Sequence, residues 1–424
     1  MAKTYDTYKD SGIAWIGEIP GEWRVGLVGK YFKEINNPNI NQKETNTLQF
    51  KMGEIISKSK GDSKYSPETI EAYNVVEPDT IMINGLNLSF DLISQRVAQV
   101  RERGAITSTY LAIWPSNGMK SDYAKYLLKT YDNNKALHAM GRGLRATLSY
   151  RTFRSEPILI PTIEEQQSIS SFLDTKCGEI DSLISIQEEM ISELLAYKQS
   201  VITEAVTKGL DKKAKMKNSG VEWIGDIPEE WEVRRIKNIC IMGPTDDYSH
   251  PYESVGYAPM NTIRYGNINA GIIEKSKLSS GLTYFADNDI VMAKVTPCFE
   301  NGNIAIAKNL HNGCAYGSSE LFVFRATNIL TEFLFYLLQN EKFKGLCCST
   351  MTGTGGLKRV SPSFVYNSFI PLPPLPVQQA IATYLDEKTS QIDSLIALKQ
   401  SKIESLKEYK KSIIYEYVTG KKRI

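Results

Sequence analysis

Ser11-Gly-Ile-Ala-Trp15-Ile16-Gly17-Glu-Ile19-Pro20-Gly-Glu22-Trp23-Arg-Val25 returns 208 residues later as Ser219-Gly-Val-Glu-Trp223-Ile224-Gly225-Asp-Ile227-Pro228-Glu-Glu230-Trp231-Glu-Val233. Ten of the fifteen positions are identical, and the two copies hold four of the chain's five tryptophans. Internal repeats set the architecture before any local reading does, and a period this long means two whole modules in tandem rather than a solenoid. Gly12, Gly17 and Pro20 argue against a long helix in the box. Trp15, Ile16, Ile19 and Trp23 read instead as the apolar side of a compact, turn-rich plug that packs on something larger.

Working outward, residues 1–9 read as a polar lead-in. Residues 26–157 form a large module with β-like runs at Thr80–Ile83 and Thr109–Trp114. A helix follows from Ser121 to Thr130, with Tyr123, Tyr126, Leu127 and Leu128 on one side. Between Met140 and Arg154 lie four arginines and no acid. Pro161-Thr162-Ile-Glu-Glu165 has the form of a capping box. From there to Lys208 apolar residues recur at helical spacing, with a narrow seam at Ile180, Ile184, Ile191, Leu194 and Val201 of the coiled-coil kind. Such a helix is about 70 Å long. Gly209 ends it, and Gly178 marks a place where it could kink.

After a basic linker, 209–217, the pattern repeats. The second box spans 218–233, and the second module runs to residue 370. It matches the first only in islands, such as Asp289-Ile-Val-Met292 with Asp79-Thr-Ile-Met82 and Tyr336-Leu-Leu338 with Tyr126-Leu-Leu128. A second long helix occupies 373–420. There Gln378-Gln379 repeats Gln166-Gln167, and Ile392-Asp-Ser-Leu-Ile396 repeats Ile180-Asp-Ser-Leu-Ile184 at an offset of 212. Its seam is Ile392, Ile396, Ile403, Leu406 and Ile413, with polar Lys399 where the first helix has Gln187. A polar seam residue either fixes register or sits solvated at the seam's edge.

Two narrow seams are most economically buried against each other. The expected fold class is therefore α+β: two mixed α/β modules, 10–157 and 218–370, separated by two long antiparallel helices in a coiled-coil-like rod with internal pseudo-two-fold symmetry. That symmetry predicts that the first box lies beside the end of the second long helix. Charge divides accordingly. Residues 161–208 carry nine acids and three bases and residues 373–420 carry six of each, so the net +2 of the chain leaves +8 for everything else. An acidic helix suits protein better than phosphate, whereas two mildly basic modules suit a ligand read at two separated points, such as duplex DNA.

Chemistry-bearing motifs are scarce. There is no phosphate-binding loop of the G-x-x-x-x-G-K-[ST] type, no Asn/Asp-Pro-Pro-aromatic motif of amino-methyltransferases and no acid-x-Lys partner for Pro78-Asp79. Gly353-Thr-Gly-Gly356 lacks the strand and helix context of a dinucleotide site. His138, His250 and His311 are scattered, and the six cysteines have neither zinc spacing nor a disulfide framework. The opening residues lack the apolar core of a signal peptide, and no apolar run is long enough to span a bilayer. The expectation is a cytoplasmic, non-catalytic protein without metal.

With these features on view, the chain resembles the specificity (S) subunits of type I restriction–modification systems. The duplicated Gly-x-x-Trp-Ile-Gly-x-Ile-Pro-x-x-Trp box and the duplicated Ile-Asp-Ser-Leu-Ile helices, ending in Val206-Thr207 and Val418-Thr419, carry the resemblance. Ile370-Pro-Leu-Pro-Pro374 belongs to it too, while Ile158-Leu-Ile-Pro161 is less proline-rich. The resemblance implies two target-recognition domains, each reading one half of a bipartite asymmetric site in double-stranded DNA. It implies helices that set the unread spacer and dock two methyltransferase (M) subunits, which in turn join restriction (R) subunits. S-adenosylmethionine, ATP and Mg would serve those partners, leaving no cofactor in this chain and no membrane association.

Base reading needs side chains that reach base edges, while most contacts only hold phosphate. The candidates in the first module are Arg142, Arg145, Arg151 and Arg154, with Asn84 and Asn87 in the loop after Thr80–Ile83. In the second they are Lys358 and Arg359 beside the glycine-rich turn, with Lys294, at the position equivalent to Asn84, and Asn301. The bland alternatives are solvated surface charges and turn asparagines. Two rival functions remain open at this point: a self-sufficient restriction or methylation enzyme, and an adaptor whose modules bind protein.

Overall fold

The computed structural model describes residues 4–58, 70–88, 95–141, 146–246, 252–264, 266–354 and 356–424. The chain divides into two compact units. One comprises Met1–Gln187 with Gln400–Ile424, the other Glu188–Lys399. The sequence segmentation set the long helices apart as their own segments. By packing, each helix is instead divided between the units: Ile169, Leu173, Ile180 and Ile413 join the core of the first, and Val201, Ile381 and Leu385 that of the second.

In the first unit, Tyr8–Asp10 and Glu18–Pro20 pair as antiparallel strands, Tyr8 opposite Pro20 and Asp10 opposite Glu18. In the second, Met216–Asn218 and Asp226–Pro228 do the same. This corrects the reading of 1–9 as a lead-in and of 211–217 as only a linker. Both outer strands are exposed along their length, so hydropathy could not reveal them. The tight link inside the first box is closed by Ser11 N–H donating to the Gly17 carbonyl at 3.0 Å and Gly17 N–H to the Ile13 carbonyl at 2.9 Å. Ile16, Ile19 and Trp23 are buried, and Trp15 meets Tyr131 edge-on at 4.8 Å.

Each box runs into a strand that closes its module. Arg24–Leu27 pairs antiparallel with Pro157–Ile160, and Glu232–Arg235 with Phe369–Leu372, so the entry and exit of each module are zipped together. Inside, both units build an antiparallel four-stranded sheet of the same order. In the first it is Phe32–Glu34, Leu111–Pro115, Ile81–Ile83, Val97–Gln99. In the second it is Cys240–Met242, Leu321–Ala326, Ile290–Ala293, Ile304–Ile306. A helix covers each sheet: Ser121–Asn133, one turn longer than the pattern predicts, and Thr331–Leu338. Beyond this shared frame the units part. The first adds two two-stranded ribbons, Leu48–Lys51 with Glu54–Ser57 and Tyr73–Val76 with Gly104–Thr107. The second adds a second four-stranded sheet of Gly271–Glu274, Ser254–Ala258, Cys314–Gly317 and Thr283–Ala286.

The long helices run Ile163–Lys208 and Leu375–Val418. The capping box forms: Thr162 Oγ1 accepts from Glu165 N–H at 3.2 Å and Glu165 Oε2 from Thr162 N–H at 3.4 Å. The first helix passes through Gly178 as a single element of 46 residues, about 69 Å at the standard rise. The repeated glutamines anchor each helix start. Buried Gln166 accepts from Lys120 N–H at 2.9 Å and donates to the Pro161 carbonyl at 3.1 Å. Buried Gln378 accepts from Leu330 N–H at 2.7 Å and donates to the Pro373 carbonyl at 2.8 Å.

Within each unit the helix segments pair antiparallel. In the first, Phe172 stacks near Tyr417 at 4.5 Å and Lys410 meets Asp181 at 2.6 Å. In the second, Lys198 meets Asp393 at 2.7 Å, and Lys399 Nζ lies 3.2 Å from Met190 Sδ. Among the seam positions, Ile180, Ile403 and Ile413 are buried in the first unit, and Ile184 and Leu406 partly so. In the second, Val201, Ile392 and Ile396 are buried, and Ile191 and Leu194 half-buried.

Both helices end on a glycine in the left-handed region that presses against a box. A Cβ on Gly420 (φ +71°) would stand 2.3 Å from Pro20 Cδ, and one on Gly209 (φ +75°) 3.1 Å from Trp231. The second helix thus ends on the first box, as pseudo-symmetry predicts. There Tyr415 donates to the Trp15 carbonyl at 3.1 Å, and the Arg423 guanidinium lies 5.5 Å from the Tyr5 ring.

Candidate nucleic-acid interface

In both units the loop leaving the strand Ile81–Ile83 or Ile290–Ala293 is stitched by backbone hydrogen bonds to the segment just before the exit strand. In the first, Leu148 N–H donates to the Gly85 carbonyl at 2.8 Å, and Leu88 N–H to the Ala146 carbonyl at 3.1 Å. In the second, Val360 N–H donates to the Lys294 carbonyl at 2.9 Å, and Thr296 N–H to the Lys358 carbonyl at 2.9 Å. The two stretches that the sequence singles out in each module are therefore neighbours.

The individual residues fare differently. Arg142 and Arg145 lie outside the described residues. Arg151 and Arg154 are exposed on and just after the short helix Tyr150–Phe153. Asn84 is half-buried and uses its Oδ1 within the loop, accepting from Leu86 N–H at 3.3 Å. Asn87 is exposed at a left-handed φ of 52°, a conformation that asparagine tolerates. Lys294 is half-buried, Lys358 exposed, and Asn301 exposed in the turn after Pro297. Arg359 is held by Glu320 through a two-pronged ion pair.

Three contributors escaped the sequence reading. Arg96 is fully buried, and its Nη1 donates to the carbonyls of Asn84 at 2.9 Å and Leu86 at 2.7 Å, tying down the first loop. Thr296 accepts from Lys358 N–H at 2.9 Å and donates to the Gly356 carbonyl at 2.8 Å, tying down the second. Glu320 is the third, and hydrogen bonds from Arg359 hold its carboxyl below the usual range. No charge run or periodicity flags any of them. Arg96 enters as an isolated cation before a strand, and Glu320 as an ordinary acid in a turn.

Nucleophile geometry is sparse. Burial pushes the Cys240 and Cys347 thiols up to about 12, which leaves them poor nucleophiles. Ser254 Oγ and His311 Nε2 lie 2.9 Å apart, but no carboxylate orients the imidazole from its other side among the described residues. Nor do the described residues contain a group of three or more His, Cys, Asp or Glu able to hold a metal. None of their helices is long and apolar enough to cross a membrane.

Comparison with known proteins places this geometry. The family model described as the type I restriction modification DNA specificity domain matches residues 228–408. The type I restriction enzyme EcoEI specificity subunit of Escherichia coli is 34% identical over 194 residues, 44% of this chain and 33% of that protein. The EcoAI specificity subunit of the same organism is 34% identical over 215 residues, 49% of this chain and 36% of that protein. The matched stretches thus span about a third of these two relatives. The MjaVIII specificity subunit of Methanocaldococcus jannaschii is 26% identical over 420 residues, covering 96% of this chain and 94% of that one. A solved structure titled for complex assembly and conformational transition of the type I R-M system superposes with a TM-score of 0.69 at 14% identity. It covers 95% of this chain and 99% of that one, and supports the fold. Through the duplicated box and the matched specificity domain this chain is similar to the type I restriction enzyme specificity subunits, and it shares their fold along almost its whole length.

Proposed function

We propose that the chain is the DNA-specificity subunit of a type I restriction–modification complex, each module reading one half of a bipartite, asymmetric DNA site. One observation carries this reading: two modules share a frame down to strand order and loop stitching, yet carry different added strands. A common frame presents two loop clusters in equivalent ways, and different additions let them read different bases. The net +8 outside the helices suits the phosphate contacts that dominate such affinity.

The long helices would set the unread spacer and dock two methyltransferase subunits, through which restriction subunits join. Exposed apolar residues support the docking role: Leu183 and Ile186 in the first unit, and Leu195, Leu395 and Leu398 in the second, remain in solvent although their helices have already buried a seam. Methyl transfer from S-adenosylmethionine and ATP- and Mg-dependent cleavage then fall to the partners, and this chain contributes recognition without catalysis.

Selection from a random duplex pool, using the chain assembled with its methyltransferase subunit, tests the reading. Enrichment of two short fixed elements around a fixed unspecified gap is expected. Enrichment of a single contiguous element, or of nothing, would contradict it.

A further inference from the structure

Glu320 grips Arg359 by one side of its guanidinium. Nε donates to Oε1 at 3.1 Å and to Oε2 at 2.9 Å, and Nη2 donates to Oε1 at 2.8 Å. That fork occupies the Nε–Nη2 edge. Nη1 has no acceptor among the described residues, so the Nη1–Nη2 edge, with its parallel N–H donors, stays open on a side chain that is 48% exposed. The backbone beneath is fixed as well. Arg359 exchanges two hydrogen bonds with Thr352, at 2.8 and 3.0 Å, and bridges to Val295, while Lys294 N–H donates to the Glu320 carbonyl at 3.0 Å.

With the arginine side chain 48% exposed, solvent screening limits what the pair adds to stability. The same unit shows what a structural fork looks like. Arg325 holds Asp289 at 2.8 and 2.7 Å, with the aspartate side chain only 1% exposed. Around Arg359 the glutamate is half-buried, its side chain 27% exposed against 48% for the arginine, and Lys294 and Lys358 lie beside the pair. What Glu320 achieves there is to fix a long side chain before any ligand arrives, removing rotamer freedom that binding would otherwise have to remove. Its negative charge also disfavours a phosphate at the same spot and leaves base edges as the better acceptors. In the major groove guanine offers two adjacent acceptors, O6 and N7, matched to a parallel donor pair. Adenine places a donor beside its N7, and thymine has a single acceptor beside a methyl group.

We propose that Arg359, aimed by Glu320, reads a guanine in one half of the DNA target, with Glu320 as its positioning residue. This rests on the DNA-specificity reading above. The test expresses the full chain with its methyltransferase subunit in a methylation-free host and sequences the methylated motifs of the wild type, Arg359→Ala, Arg359→Lys and Glu320→Gln. Arg359→Ala is expected to relax one G·C position in one half-site, lowering discrimination there about 10- to 100-fold, with the other half unchanged. Arg359→Lys keeps the charge but not the fork, so it relaxes the same position while preserving the salt dependence of binding. Glu320→Gln relaxes that position partially. A purely structural pair would alter protein yield and leave the motif intact. A bipartite motif unchanged in the Arg359 variants, or altered at an A·T position, overturns the guanine assignment and leaves the functional reading standing. A wild-type complex that methylates no bipartite motif overturns both. Should Arg359→Ala fail to assemble, the two conservative variants decide: motifs unchanged in both overturn the proposal.

Discussion

Arg96 and Arg359 show how differently one residue type is used. Arg96 is sealed from solvent and spends its donors on loop carbonyls, whereas Arg359 is held at the surface with one edge open. Replacing Arg96 by Met should strip the Asn84–Asn87 loop of charge-assisted hydrogen bonds and lower stability by about 2–4 kcal/mol in denaturant unfolding. Faster hydrogen exchange at the loop amides is expected alongside it. Unchanged stability would show that the loop holds without its arginine. Gly420 and Gly209 make a graded pair, because both are left-handed but a Cβ meets its neighbour at 2.3 Å in one and 3.1 Å in the other. Gly420→Ala should therefore cost more than Gly209→Ala, on the order of 1–3 kcal/mol of strain plus the clash with Pro20, read as a larger drop in melting temperature. At this scale the sequence was least legible. Clustering of like charge drew attention to Arg142–Arg154, but a buried cation and a positioning acid leave no mark in the pattern, because their roles depend on chain segments that folding brings together.

Elements were far more legible where a period was long enough to read. The helix Ile163–Lys208 announced itself by its seam and by Thr162-x-x-Glu165, and the capping box forms as written. Thr162→Ala should cost about 1 kcal/mol. The paired helix segments allow a sharper comparison. Ile413→Ala empties a buried seam position and should cost about 2–4 kcal/mol. Asp393→Ala removes an ion pair whose carboxylate side chain is 55% exposed, and should cost no more than about 1 kcal/mol after solvent screening. If unfolding measurements reversed that order, the helices would be held by charge rather than by their apolar seam. The short strands Tyr8–Asp10 and Met216–Asn218 went unseen. Their side chains are exposed, so only backbone pairing to the box, invisible in composition, makes them strands.

For the whole molecule, repetition was the most informative signal. The constant offset between the boxes implied two modules before any element was assigned, and the two sheets of identical strand order are its structural counterpart. What repetition could not convey is where the modules differ. Outside the matching islands there was no second copy to read against, and the added sheet of the second unit appears only in the fold. Because each module is zipped at its entry and exit strands, the proposed function predicts that exchanging residues 28–156 for the corresponding module of one of the specificity subunits this chain resembles changes one half-site and leaves the other as it was. The measurement that tests the central claim most directly is methylome sequencing of a methylation-free host expressing this chain with the methyltransferase subunit proposed as its partner. Two short specific elements separated by a fixed unspecified gap, methylated throughout the genome, are the predicted result. A contiguous methylated motif, or none although the two proteins co-purify, would contradict the assignment of the two modules as readers of separate half-sites.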